Sequence, residues 1–277
     1  MFAALCTSNG EVFSASQFSE LSVGQRGVLR ETLVCTACHA DAYFIREARN
    51  GRSACFGARP HVEGCELASL GTQDGGSGSL EEADEIGAAD ALRLEPERSR
   101  GVLHVRHVPG GELHSGTARR HTRPTRGGTR IAGISMSRLL RRLLREPEFR
   151  ESRTKIIIND NSRAVVKDYC VHVADAGETH VRKKRLYWGT FRFPRPADGG
   201  GAWLNTGRDN PTVFANEELL EEILASRGID DLEDLTGASF LLLDTLRLSS
   251  HSDRAFLFPK SLDWFTIRLY DEDAEVG

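Results

Sequence analysis

The spacing of cysteine and histidine near the N-terminus constrains this chain more than any other feature. Cys35-Thr36-Ala37-Cys38 sets two sulfurs on one tight turn, and His61-Val62-Glu63-Gly64-Cys65 supplies a second pair after an insert of 22 residues, C-x2-C-x22-H-x3-C overall. Two short pairs flanking a hairpin-sized insert suit a tetrahedral ion held by thiolate and imidazole at about 2.0–2.3 Å, and zinc is the metal expected of that ligand set. Cys35, Cys38, His61 and Cys65 are the expected ligands. Cys55 is an alternative third ligand in place of His61, and His39 a weaker substitute. Four protein ligands leave no open position for water, so the expected role of the metal is structural. Six cysteines with four of them inside residues 35–65 read as a metal site rather than a disulfide framework, given a reducing compartment.

The same segment is too small to bury a self-sufficient core. Residues 1–69 read as short strands and turns: a hairpin from Phe2 to Phe13 around Ser8-Asn9-Gly10, and a second built from Thr32–Val34 and Ala42–Ile45 around the cysteine pair. From 70 to 133 the sequence turns Gly-, Ser-, Thr- and charge-rich, the composition of a partly disordered linker, with mobility expected over 72–130. Val102–Val108 alternates like a strand inside it.

Residues 134–277 read as a β-rich domain. Leu139, Leu140, Leu143 and Leu144 share one face of a helix over 135–146, with Arg138, Arg141, Arg142 and Arg145 around the other side as candidate nucleic-acid contacts and Pro147 disfavouring continuation. Docking of the leucine face on a core is the favoured reading of that helix, with a partner helix or a membrane-surface helix as the alternatives. Strands are expected over 155–158, 164–174, 181–193 and 202–205, a main helix over 216–227 between Asn216 and Gly228, then two closing strands. That order matches a small OB-like barrel, so the expected class is α+β: a zinc ribbon, a flexible charged linker and an OB-like barrel with one main helix.

Around the first cysteines the order of elements becomes specific: a short strand, an Asn-Gly-Glu turn, Val34-Cys35-x-x-Cys38, an Arg-rich insert, then Cys55-Phe56-Gly57-Ala58-Arg59-Pro60-His61. This resembles the N-terminal zinc-ribbon region of the CoiA-like competence family over about residues 1–68. The resemblance implies a bacterial zinc module attached to a protein of DNA uptake or DNA processing. Beyond that region the nuclease-like carboxylate and lysine pattern of the family is missing; Asp168, Glu178 and Lys183 offer only a loose substitute.

Charge sharpens the functional reading. The formal net charge of −4 divides into +11 over residues 98–155 and +3 over 156–204, against −7 over 74–97 and −10 over 205–277. A basic middle between acidic stretches excludes a uniformly basic chain but suits phosphate, with His104, His107, His114 and His121 adding charge below neutral pH. A second cluster, Arg182-Lys183-Lys184-Arg185, precedes Tyr187, Trp188, Phe191 and Phe193. Cations beside rings suit single-stranded nucleic acid, where bases stack and cations follow the backbone. Alternation buries Tyr187, Phe191 and Phe193, leaving Trp188 and Arg192 as the ligand-facing pair.

No phosphate-loop, dinucleotide, nucleophile-elbow or H-E-x-x-H pattern occurs, which favours binding over catalysis. The expected function is zinc-containing nucleic-acid binding by an accessory protein, single-stranded or non-specific, DNA ahead of RNA, in DNA uptake, mobile-element processing or phage defence. A CoiA-related PD-(D/E)XK-like nuclease and a non-enzymatic adaptor are the alternatives, the adaptor meeting a basic partner through the acidic C-terminal region. The first residues, Met1 to Cys6, lack a secretory pattern and no apolar run approaches ~18 residues, so a cytoplasmic protein without a membrane span is expected.

Overall fold

A computed structural model describes residues 1–47, 53–58, 61–62, 64–68, 91–97, 131–159, 162–250, 252 and 254–269. The strand expected at Val102–Val108, the linker histidines, the acidic run at 81–85 and the acidic residues 271–275 lie outside the described residues.

The N-terminal hairpin forms as expected: Ala3–Cys6 pairs antiparallel with Val12–Ser14, Leu5 opposite Val12. The second hairpin differs. Leu33–Val34 joins the first sheet through Leu5 and Cys6 and meets the other arm of the expected hairpin only at the antiparallel Val34–Asp41 bridge, while Ala42–Ile45 pairs with Cys55–Ala58, Ile45 opposite Cys55. Two short helices between them, Ala15–Glu20 and Val23–Leu29, each start at a serine whose hydroxyl accepts from the N–H three residues on, while a glutamine returns the bond. Phe18 sits at the centre of the module, its ring within 5.0–5.7 Å of Phe13, Phe44 and Phe56.

Ala91–Glu95, within the span read as linker, is a strand. It lies between Ile131–Ser135 and Lys155–Asn159, parallel to both, and Ser162–Val165 closes that sheet. Leu92 and Leu94 are buried there, so the ordered body reaches back across the expected boundary at 133. From Ser135, which caps it, the helix Met136–Arg145 carries the chain away from the sheet and buries Met136, Leu139, Leu140 and Leu143. The leucine face is therefore docked on a core, as its spacing indicates.

Lys184–Thr190 and Ser239–Thr245 are the middle strands of a second sheet, flanked by Cys170–His172 and Phe265–Arg268. Both faces of this sheet are covered. Leu186, Trp188, Leu241 and Leu243 pack with the leucine helix and the first sheet, while Tyr187, Phe240, Leu242 and Phe265 pack the other way. That second side meets a five-stranded sheet, ordered Phe193–Pro196, Ala202–Asn205, Thr212–Ala215, Ala255–Leu257, Arg247–Leu248, together with Leu219 and Ile223 of the helix Glu217–Arg227. The last helix is bounded as read, by the Asn216 side chain at its start and by Gly228 at φ 63° at its end.

The mixed α+β class holds, but the OB-like barrel does not form. Among the described residues the strands of the body make three sheets, each with two edges, stacked as layers rather than closed. The physical reason lies in the Lys184–Thr190 and Ser239–Thr245 strands: residues from Leu186 to Thr190 and from Ser239 to Leu243 are buried on both faces, which places them between layers and not on a barrel wall with one solvent side.

The N-terminal module is seated on this body. The Arg46 guanidinium bonds Asp234 at 2.7 and 2.9 Å and Asp231 at 2.8 Å, and Arg192 pairs with Asp41. Gly237, at φ 86°, lies against Tyr43 and Ile45, where a Cβ would come within 3.2 Å of both side chains.

Candidate metal centre and basic cleft

The four expected ligands converge. The ligand atoms of Cys35, Cys38, His61 and Cys65 all lie within 4.8 Å of one another. Cys35 Sγ and Cys65 Sγ are 3.9 Å apart, close to the ~3.8 Å edge of a tetrahedron with ~2.3 Å metal–sulfur bonds. Cys38 Sγ and His61 Nδ1 are 3.4 Å apart. The donor set and its spacing fit a four-coordinate metal ion. Cys55 and His39 stand outside this group: Cys55 faces Ile45 in the hairpin register, and His39 occupies the left-handed conformation, φ 55°, that turns the first knuckle.

Backbone geometry builds both halves of the centre. The Cys35 N–H donates to Ala40 O at 2.7 Å and the His39 N–H to Cys35 O at 3.0 Å, closing a tight loop around the C-x2-C pair. In the second half, the Cys65 N–H donates to Val62 O and the Ala68 N–H to Cys65 O, after Gly64 at φ 79°. Burial by itself would raise the Cys38 thiol, but hydrogen bonds from the backbone of Ala40 and Val62 and from His61 bring it down to about 6. Cys65 is held up by burial and by the crowding sulfurs of Cys38 and Cys35. Three sulfurs this close cannot all ionise unaided, and a central cation removes that conflict. Cys170 is a contrast, a core thiol pushed up to about 12 by burial.

The expected nucleic-acid residues separate into two groups. On the leucine helix, Arg141 and Arg145 are exposed and Arg138 half-buried, while Arg142 is taken by Glu146, at 2.7–3.0 Å, and lies 3.9 Å from the Phe149 ring centre. Arg182, Lys183 and Lys184 are exposed at the head of the Lys184–Thr190 strand. Lys183 and Arg185 then meet Arg150 and Lys167 on one cleft of about 770 Å³, which Glu151, Asp168 and Asp175 also line.

Two expected contacts require correction. Trp188 is only 7% exposed, because its strand is covered on both faces; its ring lies edge-on to His172 at 4.5 Å and under the Arg150 guanidinium at 5.0 Å. It closes the floor of the cleft instead of offering a ring to stack on. Arg192 is 10% exposed at its side chain and its charge is engaged by Asp41, so it joins the module to the body.

Arg150 and Lys167 were not distinguishable in sequence from other surface cations. Arg150 becomes a fixed wall because its guanidinium donates to Leu143 O and Leu144 O, the uncapped end of the leucine helix. Lys167 pairs with Glu151 at 2.8 Å. His172 shares the cleft; burial drives its pKa down to about 4, so the ring is neutral at pH 7, with Nδ1 accepting from the Ala174 N–H at 3.3 Å and the proton on Nε2.

Asp168 and Lys183 both line the cleft but Glu178 does not. Among the described residues, the group of three or more metal-ligating side chains with converging ligand atoms is Cys35, Cys38, His61 and Cys65, without Asp168 or Glu178. No helix of the described residues is long and apolar enough to cross a membrane. No family model, curated protein or solved structure matches this chain.

Proposed function

We propose that the chain is a zinc-containing nucleic-acid-binding accessory protein that acts on single-stranded or non-specific DNA ahead of RNA. The observation that carries the nucleic-acid half is the convergence of Lys183 and Arg185 with Arg150 and Lys167, from three separate segments, on one cleft. Arg182 and Lys184 extend that positive surface outward. Arginine forks and lysine ammonium groups attract phosphate oxygens without reading sequence, and each phosphate neutralised releases counterions. The acids lining the same cleft limit how many phosphates it takes.

The metal half rests on the Cys3His geometry, for which zinc is the first candidate by ligand type. In this reading zinc folds a ribbon-like module over residues 1–69 and the module stands on the body without contributing a reacting group. The CoiA-like resemblance adds a setting in DNA uptake, mobile-element processing or phage defence, in the cytoplasm of a bacterium. Acidic residues of the C-terminal region leave a place for a basic protein partner.

Fluorescence anisotropy with single- and double-stranded oligonucleotides across a salt series tests the reading. Binding is expected to weaken with a log–log salt slope of about −3 to −5, as four to six phosphate contacts require. Charge reversal at Arg182, Lys183, Lys184 and Arg185 is expected to abolish it. Absence of affinity at about 50 mM salt, or indifference to that reversal, rejects the cleft as the phosphate site. Metal analysis is separate, with one zinc per chain expected.

A further inference from the structure

The five-stranded sheet has an outer face lined by aromatic side chains. Its inner face carries Ala202, Leu204, Val213, Ala215 and Leu257, all fully buried. Alternation therefore turns Trp203, Phe214, Phe256 and Phe258 the other way, and all four are half-buried. Register gathers them. Trp203 faces Phe214 across one strand pair, and the Thr212–Phe256 and Val213–Leu257 pairs bring Phe256 and Phe258 alongside. Ring centres are 4.7 Å apart for Trp203 and Phe214, 5.6 Å for Phe214 and Phe258, and 6.4 Å for Trp203 and Phe256.

Cations stand at both ends of this row. Arg195, exposed, is the register partner of Trp203 on the edge strand Phe193–Pro196, and Arg247 is the partner of Phe256 on the opposite edge strand. Arg247 is ion-paired with Asp244, which accepts from it at 2.9 Å and from the Phe258 N–H at 2.6 Å, and it also donates to Thr245 O at 3.0 Å, so the exposed Arg195 is the stronger phosphate attraction of the two. The first turn of the Glu217–Arg227 helix, with Glu217 and Glu218, borders the Phe214 side and disfavours phosphate there. The side of the row bordered by Arg195, Trp203, Phe256 and Arg247 lies away from those carboxylates.

We infer that this outer face is a base-stacking platform for single-stranded nucleic acid, with Trp203 and Phe256 meeting the bases and Arg195 and Arg247 the adjoining phosphates. The inference rests on the reading of the chain as a nucleic-acid binder, but it places strand preference on a different surface from the cleft. A duplex keeps its bases stacked on one another and gains nothing from rings on a flat sheet; an unpaired strand gains at every ring.

The test uses the full chain with a labelled oligothymidylate of about 12 nucleotides and a duplex of equal length. Trp203→Leu and Phe256→Leu keep apolar bulk without a ring, and Trp203→Phe restores one; thermal melts confirm that each variant folds. Each leucine variant is expected to weaken single-strand binding about five- to 100-fold, with the duplex affinity and the salt slope unchanged, and Trp203→Phe to recover most of the loss. Quenching of tryptophan emission by the oligothymidylate is expected to fall in Trp203→Phe to what Trp188 on the cleft floor contributes. Single-strand affinity within twofold of the parent in both leucine variants overturns the platform while leaving cleft binding intact. Ring loss that abolishes binding in a chain indifferent to charge reversal at 182–185 upholds the platform and removes the cleft. A chain that binds neither oligonucleotide, but loses a basic peptide on Trp203→Leu, overturns the platform in favour of a protein surface.

Discussion

The metal module and the layered body solve the same problem by different means. In the body, one sheet is buried on both faces and two separate cores form against it, with rings such as Phe191 and Phe240 stacked at 4.5 Å. In the module, the core is a handful of small strands around Phe18, and Cys35 belongs to it while Cys38 and Cys65 pack against it. Three of the four candidate ligands thus belong to or pack against the module's core, so an ion held there would be continuous with it. Burial of apolar area suffices where a sheet has two faces to cover; where area is scarce, bonds to a metal ion would take over.

The largest expected effect follows from that difference. Chelation would remove an ion whose binding free energy in comparable small zinc modules is on the order of 10 kcal/mol, and Cys35→Ser would remove one of its four ligands and weaken its hold. The module should unfold while the body remains. Hydrogen exchange should show lost protection in Ala3–Cys6 and Ala42–Ile45 with Ser239–Thr245 unchanged; equal loss in both would show one cooperative core. In the body, Phe240→Ala is expected to cost about 3–5 kcal/mol by opening a cavity under Phe191 and Phe265, read from chemical denaturation, and to leave metal content at the parent level.

What was legible in sequence divides along the same line. The metal site could be read because coordination chemistry fixes residue type and spacing together, and backbone knuckles such as Cys35–Ala40 need little from the rest of the chain. The helix Glu217–Arg227 could be read because Asn216 and Gly228 mark its ends locally. The layered body could not. Trp188 looks like a surface ring beside Arg185, and only the distant strand Ser239–Thr245 and the leucine helix bury it. Ala91–Glu95 is five residues in a charged stretch, and its central place depends on parallel partners 40 and more residues away. Trp203, Phe214 and Phe256 belong to three strands whose alternation is visible one by one, but their assembly into a row is a matter of register.

His172 gives a pH test of the body that the module does not share. Its pKa is about 4 in the folded chain because it is buried, below the ~6.5 of an unfolded histidine, so the unfolded chain binds the extra proton first. The stabilising contribution is complete above about pH 6.5 and is lost as pH falls towards 4, on the order of 3 kcal/mol across that window. Denaturation of the parent and of His172→Gln at a series of pH values should show a steeper slope in the parent over that window. Equal slopes would show that His172 titrates as an exposed ring.

The smallest expected effect concerns the join between the two regions. Arg46 bonds Asp231 and Asp234, yet all three side chains are 30–45% exposed, so solvent screens the pairs. Their coupling should be about 1 kcal/mol, in a double-mutant cycle of Arg46→Ala and Asp234→Ala, and should shrink at high salt. Arg192 with Asp41 differs, since the arginine is nearly enclosed and its loss would leave Asp41 on the loop that follows the Cys35–Cys38 knuckle. If the module is held by its own metal and only steadied by the body, Arg46→Ala and Arg192→Ala should leave metal affinity unchanged while increasing exchange in Ala42–Ile45. A fall in zinc affinity on Arg192→Ala would instead show that the body helps to position Cys35 and Cys38, making the two means of stabilisation one.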